Sequence, residues 1–267
     1  MREYTARMTP WSMVWPAGAA IAAAGIGACA AVSPTSQLFG PTLCRTSRPL
    51  AMALTFDDGP NPAATPQLLA LLDRHAARAT FFLVGRFARA CPHLVREIAA
   101  RGHLIGNHTE THANLALLFP KRIAEELRRC QNNIAAALAG ELVDAQTWVR
   151  PPFGYRGPQL AGAVRRAGLR GVAMWSRSCH DWKLQPPGRL IARLARVTPE
   201  PMPKTSLDAN AHKRANAGGP IVLLHDGDFR QLGADRCDVL AALEHWLPRW
   251  RDAGLEFVTI DGAASTH

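Results

Sequence analysis

Two short clusters of acidic and imidazole side chains lie about fifty residues apart in this chain of 267 residues. The first contains the adjacent carboxylates Asp57 and Asp58, and the second contains His108 and His112. Adjacent carboxylates repel each other unless a cation or a proton-transfer role keeps them ionised. Two histidines at positions i and i+4 face the same way when they lie on a helical turn. One aspartate and two histidines form a three-ligand metal set that leaves positions open for water and substrate.

Length, composition and charge restrict the class of protein. A chain of 267 residues with 48% hydrophobic content can form one barrel-sized domain or two small ones. Its formal charge of +10 suits an anionic partner, but the basic residues are mostly arginines scattered along the chain. Because no basic run or stripe is present, we expect no nucleic-acid binding. Attraction to an acidic cell-envelope polymer is the alternative use of this charge.

The N-terminal 33 residues have the pattern of an export signal or a membrane or lipid anchor. Residues 11–33 carry no charge and follow Arg2 and Arg7, so we expect a periplasmic, secreted or membrane-anchored protein. The stretch is rich in Ala and Gly, so a spanning helix would be weakly hydrophobic and cleavage is equally open. Residues 26–29 resemble a bacterial lipobox that would lipidate Cys29, whereas residues 28–30 have the A-x-A pattern of an ordinary cleavage site.

The rest of the chain is expected to form one catalytic domain at 50–262, after a linker at 34–49 and before a tail at 263–267. Short apolar runs predict strands at 51–56, 80–84, 104–106, 148–150, 171–175, 221–224 and 257–260. Helical periodicity predicts helices at 66–75, 92–101, 123–138, 159–167, 189–194 and 239–253. This alternation predicts an α/β fold, a distorted or incomplete (β/α) barrel with about seven parallel strands. An open doubly wound sheet is the alternative.

Polar side chains cluster where the predicted strands end, at Asp57, Asp58, His108, Arg150, Asp181 and His225. Catalytic groups collect at this end of the strands in α/β folds, so the pattern predicts a site at one mouth of the barrel. Residues 197–220 run from a predicted helix to a strand and are rich in Pro, Asn and Gly. We expect a flexible insertion there, mainly on the opposite face and without a catalytic role.

The cysteines do not predict a zinc ribbon or a redox motif. Five cysteines follow Cys29, without a C-x-x-C pair, and a single disulfide with undefined partners is conceivable if the domain is exported. Cys179 adjoins His180, but sequence neighbours rarely form a thiol and imidazole pair. We therefore expect Cys179 to be a buried or incidental thiol.

Five ordered motifs are present: TFDDGP at 55–60, HTETH at 108–112, RPPFG at 150–154, DW at 181–182 and LLHD at 223–226. On these motifs the chain resembles the polysaccharide deacetylases with the NodB homology domain, carbohydrate esterase family 4, over about residues 51–260. One such motif alone would be weak evidence, whereas five in order are specific. The resemblance implies a NodB-like barrel and an enzyme that acts on linear amide C–N bonds.

The resemblance also implies a role for each matching residue. Asp58, His108 and His112 would hold one divalent metal, with Zn²⁺ preferred and Co²⁺, Ni²⁺ or Mn²⁺ as alternatives. Asp57 would be the general base oriented by Arg150, and His225 the general acid paired with Asp181. The backbone N–H of Phe153 would bind the oxyanion, and Leu223 and Trp182 would form an acetyl-sized apolar pocket. A structural ion pair is the competing role for Arg150 and for Asp181.

The implied reaction is hydrolysis of N-acetyl groups on aminosugars of a glycan, such as a chitooligosaccharide or peptidoglycan, with release of acetate. Two alternatives remain: an O-acetyl esterase acting on a polysaccharide such as xylan, and a non-catalytic, envelope-tethered glycan-binding module. Selectivity is expected in the loops at 109–120, 176–187 and 226–237. Glu110, inside the second motif, is expected to repel acidic polymers, and Asp226 and Asp228 are expected to be loop and capping residues.

Overall fold

The computed structural model describes residues 11–139, 147–198 and 218–263. The helices are α1 (Trp11–Val32), α2 (Thr65–Arg74), α3 (Gly85–Ala90), α4 (Pro92–Ala100), α5 (Pro120–Ala137), α6 (Leu160–Arg166), α7 (Pro187–Ala195), α8 (Cys237–Asp252) and α9 (Ile260–Ala263). The strands are β1 (Thr42–Leu43), β2 (Ala51–Gly59), β3 (Ala79–Leu83), β4 (Leu104–Asn107), β5 (Trp148–Val149), β6 (Gly171–Ala173), β7 (Arg177–Ser178), β8 (Ile221–His225) and β9 (Glu256–Phe257).

The named strands pair in parallel in the order β1-β6-β5-β4-β3-β2-β8-β7, and β9 lies beside the start of β2. Only residues 174–176 separate β6 from β7, so the chain itself joins two distant positions in this order. Within that connection the Ser176 N–H donates to the Ile221 carbonyl at 3.0 Å. The sheet therefore curls into the predicted incomplete (β/α) barrel and is not an open doubly wound sheet.

The centre of the barrel is formed by strands that are apolar along most of their length. All residues of β2, β3 and β8 are buried, as expected for parallel strands that helices cover. The apolar faces of α2, α4 and α8 pack against this sheet in the main core cluster. Four helices, α2, α4, α5 and α7, have proline in their first turn, where the missing N–H costs no hydrogen bond.

Three segments differ from the sequence prediction. The stretch at 34–49, expected as a linker, contributes β1, which pairs with β6 through Thr42 and Val172. Helix α3 was not predicted, because six residues carry too little periodicity. The last predicted strand, 257–260, ends at Phe257, and α9 begins at Ile260.

Two predicted segments fall largely or wholly outside the described residues. Residues 199–217 of the expected insertion and residues 264–267 of the expected tail are not described. Among the residues that are described, no helix has both the length and the apolar character needed to cross a membrane.

Candidate active site and metal centre

An irregularity in β2 brings two adjacent carboxylates into one cavity. Neighbouring side chains on a regular strand point to opposite faces of the sheet. Here the register with β3 shifts between Asp57 and Gly59, and Asp58 takes a left-handed conformation with φ of 70°. Both Asp57 and Asp58 therefore line the same cavity. Such backbone irregularities often re-aim side chains next to active sites.

The two histidines of the second motif lie on the loop after β4 and not on a helical turn. Thr109 and His112 have φ values of 67° and 60°, which a helix does not allow. The buried Asn107 shapes this loop: its Oδ1 accepts from the Thr109 N–H at 2.9 Å, and its Nδ2 donates to the Leu127 carbonyl at 2.9 Å. The loop brings the rings of His108 and His112 to 4.9 Å.

Asp58, His108 and His112 offer ligand atoms that all lie within 4.8 Å of one another. Asp58 Oδ1 is 3.5 Å from His108 Nε2 and 3.1 Å from His112 Nε2, yet this buried oxygen has no hydrogen-bond donor. Burial opposes ionisation of Asp58, but its contacts with both imidazoles hold its pKa well below the usual range. A buried anionic acceptor without a donor, flanked by two imidazole nitrogens, fits a divalent cation.

The surroundings of both imidazoles suit metal ligands. His108 Nδ1 donates to the Arg150 carbonyl at 2.8 Å, which leaves Nε2 free to bind a cation. The His112 ring stacks on Phe229 at 4.0 Å and meets the edge of Phe153 at 4.7 Å. Burial lowers the pKa of His112 and so favours the neutral form that a metal requires. No sequence motif marked Phe229; its position four residues after His225 was the only available signal.

Arg150 orients Asp57 from inside the barrel. Its fully buried guanidinium donates from Nη1 to Asp57 Oδ1 at 2.8 Å and to the Thr55 hydroxyl at 2.6 Å. Nε and Nη2 donate to the carbonyls of Ala173 and Met174, at 3.2 and 2.8 Å. Every guanidinium nitrogen therefore has an acceptor. The carboxylate of Asp57 is held through one oxygen, and Oδ2 lies 3.8 Å from His108 Nε2.

Asp181 holds His225 by two bonds. Asp181 Oδ2 accepts from the His225 backbone N–H at 2.7 Å, and Oδ1 lies 3.0 Å from the imidazole Nδ1. Burial by itself would lower the pKa of His225, but Asp181, with smaller contributions from Asp58 and Asp57, raises it to about 9. The imidazolium is consequently populated at neutral pH.

A cavity of about 380 Å³ unites these groups. Eight of the ten predicted site residues line it: Asp57, Asp58, His108, His112, Phe153, Trp182, Leu223 and His225. The other two, Arg150 and Asp181, are fully buried behind it and bond to Asp57 and His225. Leu223 is buried in the wall, whereas Trp182 is 46% exposed. Tyr155, Trp175 and Phe229 complete an aromatic lining that the motifs did not reveal.

The remaining sequence expectations have mixed outcomes. Glu110 is 1% exposed and accepts from Asn133 Nδ2 at 2.8 Å, so the expectation that it repels polymers is wrong. Burial raises the pKa of Cys179 to about 12, which excludes a reactive thiolate, and all six cysteines are unpaired. Asp226 is buried and accepts from the Thr65 hydroxyl, and Asp228 accepts from the Arg230 N–H at 2.9 Å. These last two contacts are those of loop residues, although Asp228 also lines the cavity.

Comparisons with known proteins identify the family of this chain. Residues 45–172 match the family model for polysaccharide deacetylase. The chain is 35% identical over 216 residues to a peptidoglycan-N-acetylglucosamine deacetylase of Bacillus cereus, covering 78% of this chain and 85% of that one. It is 34% identical over 210 residues to a chitooligosaccharide deacetylase of Bradyrhizobium sp., covering 76% and 85%.

Among solved structures, a family 4 carbohydrate esterase pseudoenzyme from Bacillus anthracis superposes with a TM-score of 0.66. At 22% identity, covering 84% of this chain and 68% of that one, this likeness shows a shared fold. The motifs, the barrel and the two relatives together establish the family: this chain belongs to the polysaccharide deacetylases with NodB homology.

Proposed function

We propose that this protein is a metal-dependent hydrolase that removes N-acetyl groups from aminosugars of an acetylated glycan and releases acetate. The observation that carries the proposal is the convergence of three units on one cavity. These units are the Asp58, His108 and His112 set, the Asp57 and Arg150 pair, and the Asp181 and His225 pair. The names of the Bacillus and Bradyrhizobium relatives support the substrate class.

Asp58, His108 and His112 would hold the metal. A set of one carboxylate and two imidazoles suits Zn²⁺, and Co²⁺, Ni²⁺ and Mn²⁺ accept the same donors. When bound, such an ion polarises the acetyl carbonyl and makes a water molecule more acidic. The bond from His108 Nδ1 to the Arg150 carbonyl fixes the ring that presents Nε2 to the site.

Asp57 is the proposed general base. Arg150 holds Oδ1, so Oδ2 is the oxygen that accepts a proton from the attacking water. The separate contacts of the two aspartates support separate roles: Asp58 faces the imidazoles, and Asp57 is tied to the guanidinium.

His225 is the proposed general acid, because an amine anion is a very poor leaving group and needs a proton as the C–N bond breaks. Since Asp181 binds Nδ1, the proton for the leaving nitrogen comes from Nε2. The raised pKa of His225 keeps that proton in place at neutral pH.

The apolar part of the cavity is assigned to the acetyl methyl group, between Leu223 and Trp182, with the indole also able to pack against a sugar face. Phe153 lies in a turn with φ of 59°, and its backbone N–H is the proposed oxyanion donor. If the space between Leu223 and Trp182 holds one methyl group, the enzyme disfavours longer acyl chains.

Two other functions fit the site less well. An O-acetyl esterase would depend less on His225, because an alkoxide leaves more easily than an amine anion. A glycan-binding module needs neither buried acid-base pair, although the pseudoenzyme from Bacillus anthracis shows that the fold alone does not decide activity.

We also propose export, with membrane association through the N-terminal segment, from the uncharged stretch at 11–33. A reporter fused after Pro49 measures the compartment, and a signal confined to the cytoplasm would contradict export.

The proposed function is tested by measuring acetate release from N-acetylglucosamine oligomers, peptidoglycan and O-acetylated xylan. Each substrate is assayed with metal-stripped and Zn²⁺-reloaded protein. We expect metal-dependent release from the N-acetylated substrates, rising with oligomer length because neighbouring sugars help to orient the amide. Release from xylan alone would favour the esterase, full activity without metal would reject the mechanism, and binding without release would favour the module. Faster hydrolysis of long-chain N-acyl amides would contradict the acetyl-sized pocket.

A further inference from the structure

Residues 30–43 precede the segment that matches the family model, yet they are attached to the walls of the active-site cavity. The first attachment is Arg156, which lies three residues after Phe153 and is 2% exposed. Its backbone N–H donates to the Ala31 carbonyl at 3.0 Å. Its guanidinium donates to carbonyls at the end of α1 and just beyond: Nη1 to Ser36 at 3.0 Å, and Nη2 to Ala30 at 3.5 Å and to Ser33.

The contacts of the Arg156 guanidinium are with backbone carbonyls in and just after the last turn of α1. In the described part of the chain, no carboxylate lies within ion-pair distance of this buried guanidinium. The last carbonyls of α1 have no partners within the helix and carry the negative end of the helix dipole. Within α1, the guanidinium of Arg156 binds the Ala30 carbonyl and its backbone N–H binds the Ala31 carbonyl, while Ser33 and Ser36 extend the contact beyond the helix. Its Nη atoms thus have acceptors in this segment, whereas the buried Nε has no partner among the described residues.

The second attachment is β1, which supports the residues that hold Arg150. Thr42 and Leu43 pair with Val172 and Ala173, and the Leu43 carbonyl accepts from the Met174 N–H at 2.7 Å. The carbonyls of Ala173 and Met174 in turn accept from Arg150. Between the two attachments, Gln37 Oε1 accepts from the Thr42 N–H at 2.7 Å and fixes the connecting turn.

We propose that Arg156 is a positioning residue that binds the end of α1 to the loop carrying Phe153. Through it, residues 30–43 brace the active site and stay attached to the catalytic domain in the mature protein. The effect on activity rests on the proposed deacetylase function, whereas the attachment itself does not.

These contacts discriminate between the two processing sites of the N-terminal segment, the lipobox at 26–29 and the A-x-A site at 28–30. Cleavage after Ala30 would remove one of the four carbonyl acceptors and leave a cationic amino group on Ala31, whose carbonyl accepts from the Arg156 N–H. Cleavage before Cys29 keeps all four carbonyl acceptors, as does retention of the whole N-terminal segment. The brace therefore favours processing before Cys29, which is exposed, or retention of the N-terminal segment, over cleavage at the A-x-A site.

The first test identifies the N-terminal residue of the full-length gene product recovered from the cells that express it, by intact-mass and terminal-peptide mass spectrometry. We expect the mature chain to begin at Cys29 or earlier. A homogeneous product that begins at Ala31 or later would overturn the proposal. This readout does not depend on any enzymatic activity.

The second test compares full-chain Arg156→Met with Arg156→Lys and with Arg165→Met, an exposed arginine on α6. Arg156→Met should increase proteolytic cleavage within 30–43 and lower kcat about tenfold, because small misplacements of catalytic groups are costly. KM and metal content should stay constant, and Arg156→Lys should restore part of both losses. Arg165→Met should match the parent protein.

A lower melting temperature, with proteolysis and kcat at 25 °C equal to the parent, would make Arg156 merely structural and overturn the positioning role. If Arg156→Met does not fold, Gln37→Ala loosens the same segment from an exposed position and should raise cleavage within 30–43. Unchanged cleavage in that variant would contradict the brace. If the deacetylase function itself fails, cleavage and the N-terminal residue still decide the attachment.

Discussion

Arg150 and Asp57 link opposite walls of the barrel mouth through one buried guanidinium. Nη1 of Arg150 binds Asp57 on β2, while Nε and Nη2 bind carbonyls at the end of β6. The guanidinium also lies 4.1 Å from the Phe82 ring centroid on β3. The position of the proposed base is therefore set by three strands, so Arg150 acts both on the stability of the barrel and on its chemistry.

Replacing Arg150 by lysine should damage both. A compact ammonium cannot reproduce the four hydrogen bonds of the planar guanidinium, so Asp57 is left buried and poorly paired. Arg150→Lys should lower the free energy of unfolding by about 3–5 kcal/mol. It should also reduce kcat for acetate release. Chemical denaturation and steady-state kinetics measure the two effects.

The matched control for this change is Arg74→Lys, in which an exposed arginine paired with Glu244 loses its guanidinium. Exposed pairs contribute about 0–1 kcal/mol, so stability should hardly change. Equal effects in the two variants would contradict the role given to Arg150.

The adjacent aspartates allow a comparison at neighbouring positions with the same substitution. Asp57→Asn should keep the metal and lose about 10²–10⁴-fold in turnover, because a general base has been removed. Asp58→Asn should lose the metal, and its activity should fall as a consequence, because the Asp58 carboxylate oxygen faces both imidazoles. Metal content by mass spectrometry and acetate release separate the two outcomes. Equal metal loss in both variants would show that the roles are not divided in this way.

Removing either imidazole ligand should empty the site. His108→Ala and His112→Ala each delete one of three protein ligands, so metal content and turnover should fall together. His93→Ala, on the exposed face of α4, should leave both unchanged. Normal turnover by a metal-depleted His112→Ala protein would reject metal dependence.

The sequence predicted the site better than it predicted the backbone that builds it. Strand periodicity and motif order located Asp57, His108 and His225 at strand ends, because these signals are local. The left-handed residue Asp58 and the loop that carries His112 depend on register and on Asn107, which local patterns do not reveal.

Burial was the other property that the sequence could not supply. Glu110 was expected to repel acidic polymers, but it is buried and accepts a hydrogen bond from Asn133. Phe229 and Arg156 belong to no motif, and their roles follow from tertiary contacts alone. The stretch at 34–49 has the composition of a linker, yet two of its residues form a strand within the sheet.

His103 should make the protein sensitive to acid. Burial, with a further contribution from Arg78, lowers the pKa of His103 to about 4, and its Nδ1 accepts from the Ala79 N–H at 3.2 Å. Between pH 6.5 and about 4 the unfolded chain binds a proton that the folded chain does not, so stability falls as the pH falls. His103→Gln should reduce this slope by about 1.4 kcal/mol per pH unit. Urea denaturation from pH 4.5 to 7 measures it, and an unchanged slope would contradict the assignment.

His225 should set the alkaline limit of amide hydrolysis. Its folded pKa of about 9 lies above the ordinary value of 6.5, so the imidazolium is present at neutral pH and is lost as the pH rises through 9. The same sign applies to stability: the contribution of the Asp181 pair is complete below pH 6.5 and disappears through pH 9. A bound cation opposes the contributions of Asp57 and Asp58, whereas the contact with Asp181 remains. The limit in the metal-loaded enzyme should therefore lie somewhat lower.

The measurement is the pH dependence of kcat/KM for an N-acetylglucosamine oligomer and for an aryl acetate ester. The amide should lose about tenfold per pH unit above the limit, because only the protonated acid can release the amine. The ester, with a good leaving group, should show no such limb. Asp181→Asn should move the amide limb to lower pH while metal content stays constant, and His225→Ala should reduce amide hydrolysis more than ester hydrolysis. An identical alkaline limb for both substrates, or a limb that stays in place in Asp181→Asn, would assign the proton to another group.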